Sequence, residues 1–289
     1  MVLQREQPLR IWGKALPGQK VTVAFDHKII SVNVNADSLW RVSFPKQIAT
    51  TKPRSVTIIC GKEKVELRNI LIGDIWVCSG QSNMEWPMAK EAHFGDELKN
   101  TNQPLIRFVN PPPAGRYVYG VAYTDSLNKR LNRNDFYQWN GWQSCDSNSV
   151  KDMSAVAYYF AKSIVAKENI PIGLINLSIG GAPIETFISR EALQNSPQFV
   201  AKVQGNWLEN EALPQWVRQR GNENVGNNAA EDDLGPNHAY KPGFAFEAGI
   251  KPLLSLAVKG VIWYQGESNS LEAARVAEYQ DLQRLLIAD

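Results

Sequence analysis

The apolar and polar positions divide the chain into two regimes. Over residues 1–68 apolar side chains alternate with polar ones in short runs. Val21, Val23 and Phe25 form one run, Val32 and Val34 a second, and Trp40, Val42 and Phe44 a third. Val56-Thr57-Ile58-Ile59 and Val65-Glu66-Leu67 add two more, and Pro17-Gly18, Asp26-His27, Ala36-Asp37-Ser38 and Gly61-Lys62 mark turns between them. Period-2 runs at such spacing predict a small antiparallel sandwich, read here as a structural module.

From about Asn69 the pattern becomes strand followed by helix, which predicts a second unit over residues 69–289. Four apolar runs read as buried strands: Ile70 to Cys78, Leu105 to Val109, Ile172 to Leu177 and Val258 to Tyr264. Pro111-Pro112-Pro113 ends the second, because proline cannot donate to a ladder. Met153 to Lys167 reads as a helix, with Val156, Ala157, Phe160, Ile164 and Val165 on one face. Glu85 to Asn100 is weakly helical, and Phe246 to Leu256 reads as a helix. So does Leu271 to Ala288, which places Tyr279, Leu282 and Leu286 on one side. The aromatic stretch 114–150 predicts a hairpin or long loop, its rings either packed or stacked on a sugar. Trp207 and Trp216 are expected to pack against a surface helix or to line a substrate groove. Gly221 to Gly235 predicts a mobile loop. The fold class expected is α/β, a parallel sheet between helices.

Composition narrows the function classes. The chain has 289 residues, 44% hydrophobic and 21% charged, as in ordinary soluble globular proteins. A net charge of +2 carries no nucleic-acid or membrane signature. The nearest approach to a membrane span, Leu253 to Tyr264, is short and contains Lys259. Met1 to Arg10 lacks the apolar core of a secretory leader. Three cysteines (Cys60, Cys78, Cys145) at irregular spacing make no disulfide framework. His27, His93 and His238 have no metal-ligand spacing, so neither metal nor cofactor is expected. Nothing in the sequence fixes an oligomeric state.

The candidate chemistry lies where three apolar runs end. After Cys78 comes Gly80-Gln81-Ser82-Asn83-Met84, where Ser82 is either an exposed nucleophile or a helix cap. After Leu177 comes Ser178-Ile179-Gly180-Gly181-Ala182-Pro183, whose backbone N–H groups either bind an oxyanion or simply make a strand-to-helix turn. After Tyr264 comes Gln265-Gly266-Glu267-Ser268-Asn269. It offers two carboxamides as donors, and its Ser268 and Asn269 also suit a helix cap. Right-handed crossovers bring successive parallel strands to one edge, so the three turns can meet. A hydroxyl, backbone donors and a carboxamide together suit acyl transfer through a tetrahedral intermediate.

The stretches GDIWVCSGQSNMEWPM, MSAVAYYFAK, IPIGLINLSIGGAPIETFIS and KGVIWYQGESN resemble the sialate O-acetylesterase family of SGNH- or GDSL-like hydrolases. Met1 to Arg5 and Ile11-Trp12-Gly13 resemble that family's N-terminal β-domain. The resemblance implies a three-layer α/β/α hydrolase domain behind a β-sandwich, removal of acetyl esters from sugars, and a periplasmic or secreted location. It implies Ser82 as nucleophile, with its own N–H as one oxyanion donor. Gly181 or Gly180 supplies a second, Gly181 preferred, and Gln265 or Asn269 a third. The family's general base comes from a D-x-x-H block, and none occurs here. The resemblance therefore implies an Asp and a His beyond Asp289, and an absent C-terminal part of the hydrolase domain. Two readings follow: a carbohydrate O-acetylesterase, or a carbohydrate-binding fragment that lacks its base and does not turn over.

Overall fold

The computed structural model describes residues 1–225 and 230–289. The strands in chain order are β1 (Val2–Gln4), β2 (Leu9–Lys14), β3 (Lys20–Phe25), β4 (Lys28–Asn33), β5 (Leu39–Phe44) and β6 (Thr50–Cys60). They continue as β7 (Glu63–Gly80), β8 (Gln103–Val109), β9 (Gln143–Cys145), β10 (Ile172–Asn176), β11 (Glu231–Asp232), β12 (Gly235–Pro236) and β13 (Gly260–Tyr264). The α-helices are α1 (Ser82–Glu85), α2 (Phe94–Glu97), α3 (Asp125–Arg130), α4 (Ala155–Glu168), α5 (Arg190–Asn195), α6 (Gln215–Asn224) and α7 (Ala273–Ala288).

The alternating N-terminal runs form strands that place their apolar residues inward. In β5 exposed and buried positions alternate strictly, with Trp40, Val42 and Phe44 buried. Strands β4, β3 and β6 form one antiparallel layer, and β2 pairs with β5 in another. Between them lies a core that includes Val21, Val23, Phe25, Trp40, Val42 and Phe44. Ile70 and Ile72 of β7 reach into the same core.

Strand β7 crosses the position where the sequence pattern changes. Its first seven residues, 63–69, are exposed and run antiparallel to β6. From Ile70 onward it is buried except at half-buried Trp76. Ile70 and Ile72 keep antiparallel partners on β6, residues 71–73 pair parallel with β1, and the end of the strand pairs parallel with β10 over 74–78 and with β13 over 76–80. Asn69 sits between the two parts with φ +54°, and the β6–β7 register shifts there. This is a bulge, which lets a strand turn without ending. The N-terminus is tied to the buried part: β1 pairs with residues 71–73, and the Gln4 carboxamide accepts the Ile75 N–H at 2.8 Å.

The strand order of the second layer is β9-β8-β10-β7-β13. Alternation on β7 sends Ile75 and Val77 to a core with Phe136, Tyr137, Phe187 and Trp207. Cys78 goes to the opposite face, against α4. Both faces are therefore covered, as parallel sheets require. The α4 helix begins two residues later than predicted. It buries Ala155, Ala157, Tyr158 and Ala161, while Val156 is left at the surface. Small residues let the helix approach the sheet closely, so the contact face is rotated from the one the largest apolar side chains marked. Phe160 instead packs edge-on to Trp76 at 4.9 Å. Phe246 to Leu256 forms a π-helical turn followed by a 3-10 turn. The aromatic stretch 114–150 supplies core, with Phe136 and Tyr137 buried. Part of the predicted 221–235 loop, residues 226–229, lies outside the described residues. Among the described residues no helix is long and apolar enough to cross a membrane.

Candidate active site

The ends of β7, β10 and β13 lie side by side because the strands are parallel and in register. Cys78 pairs with Asn176 and with Ile262, and Tyr264 lies opposite Gly80. Gly80 has φ +136°, and a Cβ there would overlap the Tyr264 carbonyl oxygen. Glycine is required at this crossing for both reasons. The Gly80 carbonyl accepts the Ile179 N–H at 3.0 Å, so the turn after β10 is bonded directly to the end of β7.

Gln81 joins the third turn. It is buried, and its side-chain oxygen accepts both the Gln265 carboxamide N–H at 3.1 Å and the Ser268 N–H at 3.0 Å. Its own N–H donates to the Tyr264 carbonyl at 3.0 Å. Ser82 follows at the first position of α1 and is exposed. Its hydroxyl caps no helix: the cap position is Gln81, without a side-chain cap bond. Asn83 reaches across to the Glu267 carboxylate.

Each predicted glycine and carboxamide lies in this cluster. Gln265 also donates to the Asn269 side-chain oxygen at 2.8 Å and to the Ala182 carbonyl at 3.3 Å. Asn269 accepts the Ile184 N–H at 3.0 Å and donates to Glu185 at 3.0 Å. Glu185 is fully buried and paired with Lys202 at 2.9 Å. Asn269 therefore braces the turn after β10 through a buried ion pair. Gly180 and Gly181 are held differently. The Glu85 carboxylate packs against Gly180, and the Gly180 carbonyl accepts the Tyr240 hydroxyl at 2.9 Å. The Gly181 carbonyl accepts the Ser268 hydroxyl at 3.0 Å.

Two residues of this region had no role in the sequence reading. Gln81 is one; its signal was a polar side chain at the end of a buried strand. Glu85 is the other. It is buried, and burial raises its pKa against the opposing pull of Arg116, which donates to it at 2.7 Å. Arg116 and Tyr119 line a small cavity with Glu85, Gly180 and Tyr240. The Arg116 guanidinium lies 4.6 Å from the Tyr117 ring centre. These come from distant segments, and no local pattern marks them.

His238 is no free base. The imidazole is buried, which together with Arg220 pulls its pKa from 6.5 to about 3, so it is neutral. Its Nδ1 accepts the Tyr240 N–H at 3.0 Å, and its Nε2 faces the Tyr123 hydroxyl at 3.3 Å. The ring is stacked between Tyr123 and Trp207. Trp207 is thus core, and Trp216 donates its indole N–H to the Ser268 carbonyl at 3.1 Å. His27 and His93 are exposed, His93 at the entrance to α2. Among the described residues no cluster of histidine, cysteine and carboxylate side chains could hold a metal ion.

A covered parallel sheet, with polar turns joined at its C-terminal edge, is the α/β architecture of an SGNH-like hydrolase. Comparison with known proteins agrees. Human sialate O-acetylesterase is 28% identical over 93% of this chain and 47% of its own length. The Pongo abelii enzyme of the same name gives the same figures, and the mouse enzyme is 26% identical over 93% of this chain and 50% of its own length. The crystal structure of a carbohydrate acetylesterase from Xanthomonas citri superposes with a TM-score of 0.72 at 25% identity, over 99% of this chain and 53% of that one. No family model matches the chain. The similarity to sialate O-acetylesterases read from four motifs thus extends along nearly the whole chain, which spans about half the length of the curated relatives it matches.

Proposed function

We propose that this chain carries the nucleophile and oxyanion donors of a carbohydrate O-acetylesterase. The observation that supports it best is the Gln81 carboxamide, which ties the turn bearing Ser82 to the Gln265–Asn269 turn. Ser82 Oγ attacks the acetyl carbonyl carbon, and the carbonyl oxygen becomes an oxyanion. The Ser82 and Gly181 N–H groups and a carboxamide stabilise it. The resemblance prefers Gly181 as the glycine donor, and the Glu85 carboxylate packed against Gly180 supports that choice, since a second anion would be unfavourable there. Gln265 or Asn269 supplies the carboxamide: the Gln265 N–H groups are shared among Gln81, Ala182 and Asn269, and the Asn269 amide donates to Glu185, so both donors have partners within the site. The bond to the sugar oxygen then breaks, the sugar oxygen takes a proton, and the acetyl group stays on Ser82. Water attacks this ester and releases acetate and the free serine.

The proton from Ser82 needs an acceptor. His238 is unsuited, since both ring nitrogens are engaged. The base in this reading is the Asp and His that the resemblance implies past Asp289. A periplasmic or secreted location belongs to the same proposal.

Acetate release from O-acetylated sugars by the protein containing this chain tests the reading. An organophosphate should label Ser82. Turnover that survives Ser82→Ala overturns the assignment. The occupied His238 also favours a second reading for residues 1–289 by themselves: sugar binding without hydrolysis. Acetate release by these residues alone would reject it.

A further inference from the structure

The Gly180–Gly181 pair poses a physical problem for any oxyanion donor built on it. Two adjacent glycines have no Cβ to restrict them, so the peptide between them can rotate at little cost. A donor that rotates loses the preorganisation on which electrostatic stabilisation depends. The structure shows what opposes this. The Tyr240 hydroxyl donates to the Gly180 carbonyl at 2.9 Å. In a planar trans peptide the C=O and the following N–H point in opposite directions. Fixing the Gly180 oxygen therefore fixes the Gly181 N–H, aimed away from Tyr240. Gly181 has φ +75°, and a Cβ there would overlap the Tyr240 hydroxyl, so the contact also requires glycine.

Tyr240 is itself held firmly. It is 4% exposed, too little for its ring to leave the site freely. Its N–H is taken by His238 Nδ1, and its ring packs edge-on to His238 at 4.9 Å and against Trp216 at 5.6 Å. His238, otherwise an unexplained buried titratable group, thus acts as an anchor.

We propose that Tyr240 is a positioning residue that sets the direction of the Gly181 N–H, with His238 as its support. The proposal rests on the esterase reading of Gly181, but its structural half stands by itself. Tyr240→Phe removes the hydroxyl and keeps the ring. The expected result is a fall in kcat of about 10- to 100-fold, less than or equal to the loss of a whole donor, with KM within about two-fold. Tyr158→Phe is the control. It removes a buried hydroxyl, bonded to Glu97, that touches none of Gly180, His238 and Tyr240, and should leave kcat within about two-fold. A general loss of stability from removing a buried tyrosine hydroxyl would affect both variants alike. Crystal structures of Tyr240→Phe and the parent, with the amide chemical shift of Gly181 in solution, read the peptide directly.

An unmoved Gly180–Gly181 peptide in Tyr240→Phe overturns the proposal whether or not the protein turns over. A moved peptide with kcat unchanged, in a protein whose activity depends on Ser82, overturns the catalytic half. If the protein containing this chain, with the segment past Asp289, shows no esterase activity, the esterase reading fails, and the structures still decide the clamp.

Discussion

The two parts of β7 are one strand in two environments. Residues 63–69 are exposed, charged at several positions, and paired antiparallel to β6. Residues 70–80 are buried apart from half-buried Trp76, gain the parallel partners β1, β10 and β13, and end in the turn that carries Ser82. The difference teaches where substitution matters. In the first part side chains face water, and the ladder alone holds the strand. In the second, each residue is fitted on both faces, and at Gly80 even one methyl group has no room.

Four experiments test that contrast, taken from the largest effect down. Ser82→Ala, at the end of the buried part, should reduce turnover of the acetylated sugar by about 10⁴- to 10⁶-fold. Its melting temperature should stay near the parent's, because Ser82 is exposed and caps nothing. Gly80→Ala should cost roughly 3–5 kcal/mol in urea unfolding, from the overlap with the Tyr264 carbonyl and the positive φ. A stable Gly80→Ala protein would show that the strand ends can move apart.

The third concerns pH. His238 in the folded protein titrates near 3 rather than 6.5, so below pH 6.5 the unfolded chain binds a proton that the folded one refuses. Stability from this group is fully present above pH 6.5 and is lost as pH falls toward 3, by on the order of a few kcal/mol. Urea midpoints measured through that window should decline less steeply in His238→Asn. Equal slopes would show that His238 is accessible to protons in the folded state. The smallest effect is expected in the exposed part: Val65→Thr should change stability by no more than about 0.5 kcal/mol. A larger change would mean that residues 63–69 are covered by something.

Much of the fold was legible because burial leaves a periodic trace. The alternation of Trp40, Val42 and Phe44 marked β5, and the apolar run from Ile70 marked the buried part of β7. The continuity of β7 was not legible. Asn69 looks like a break, and only the register shows that the strand bends there and continues. The three candidate turns could be found from sequence, since glycines and polar side chains after apolar runs stand out. The division at 68 and 69 and the roles of Ser82, Gly180, Gly181, Gln265 and Asn269 remain proposals. The parts that join the turns were hidden. Gln81 meets Gln265 across 184 residues, and Tyr240 meets Gly180 across 60. Such pairings exist only once the chain has folded.

The bulge at Asn69 bears on how this protein can be handled. A protease seeking a joint between the β-rich part and the rest would have to cut through a paired strand there, not a tether. Expressing the two parts separately would leave each with half a severed ladder. Val2 to Gln4 and Arg5 would also lose Asp74 and their neighbours on β7, to which they are bonded now.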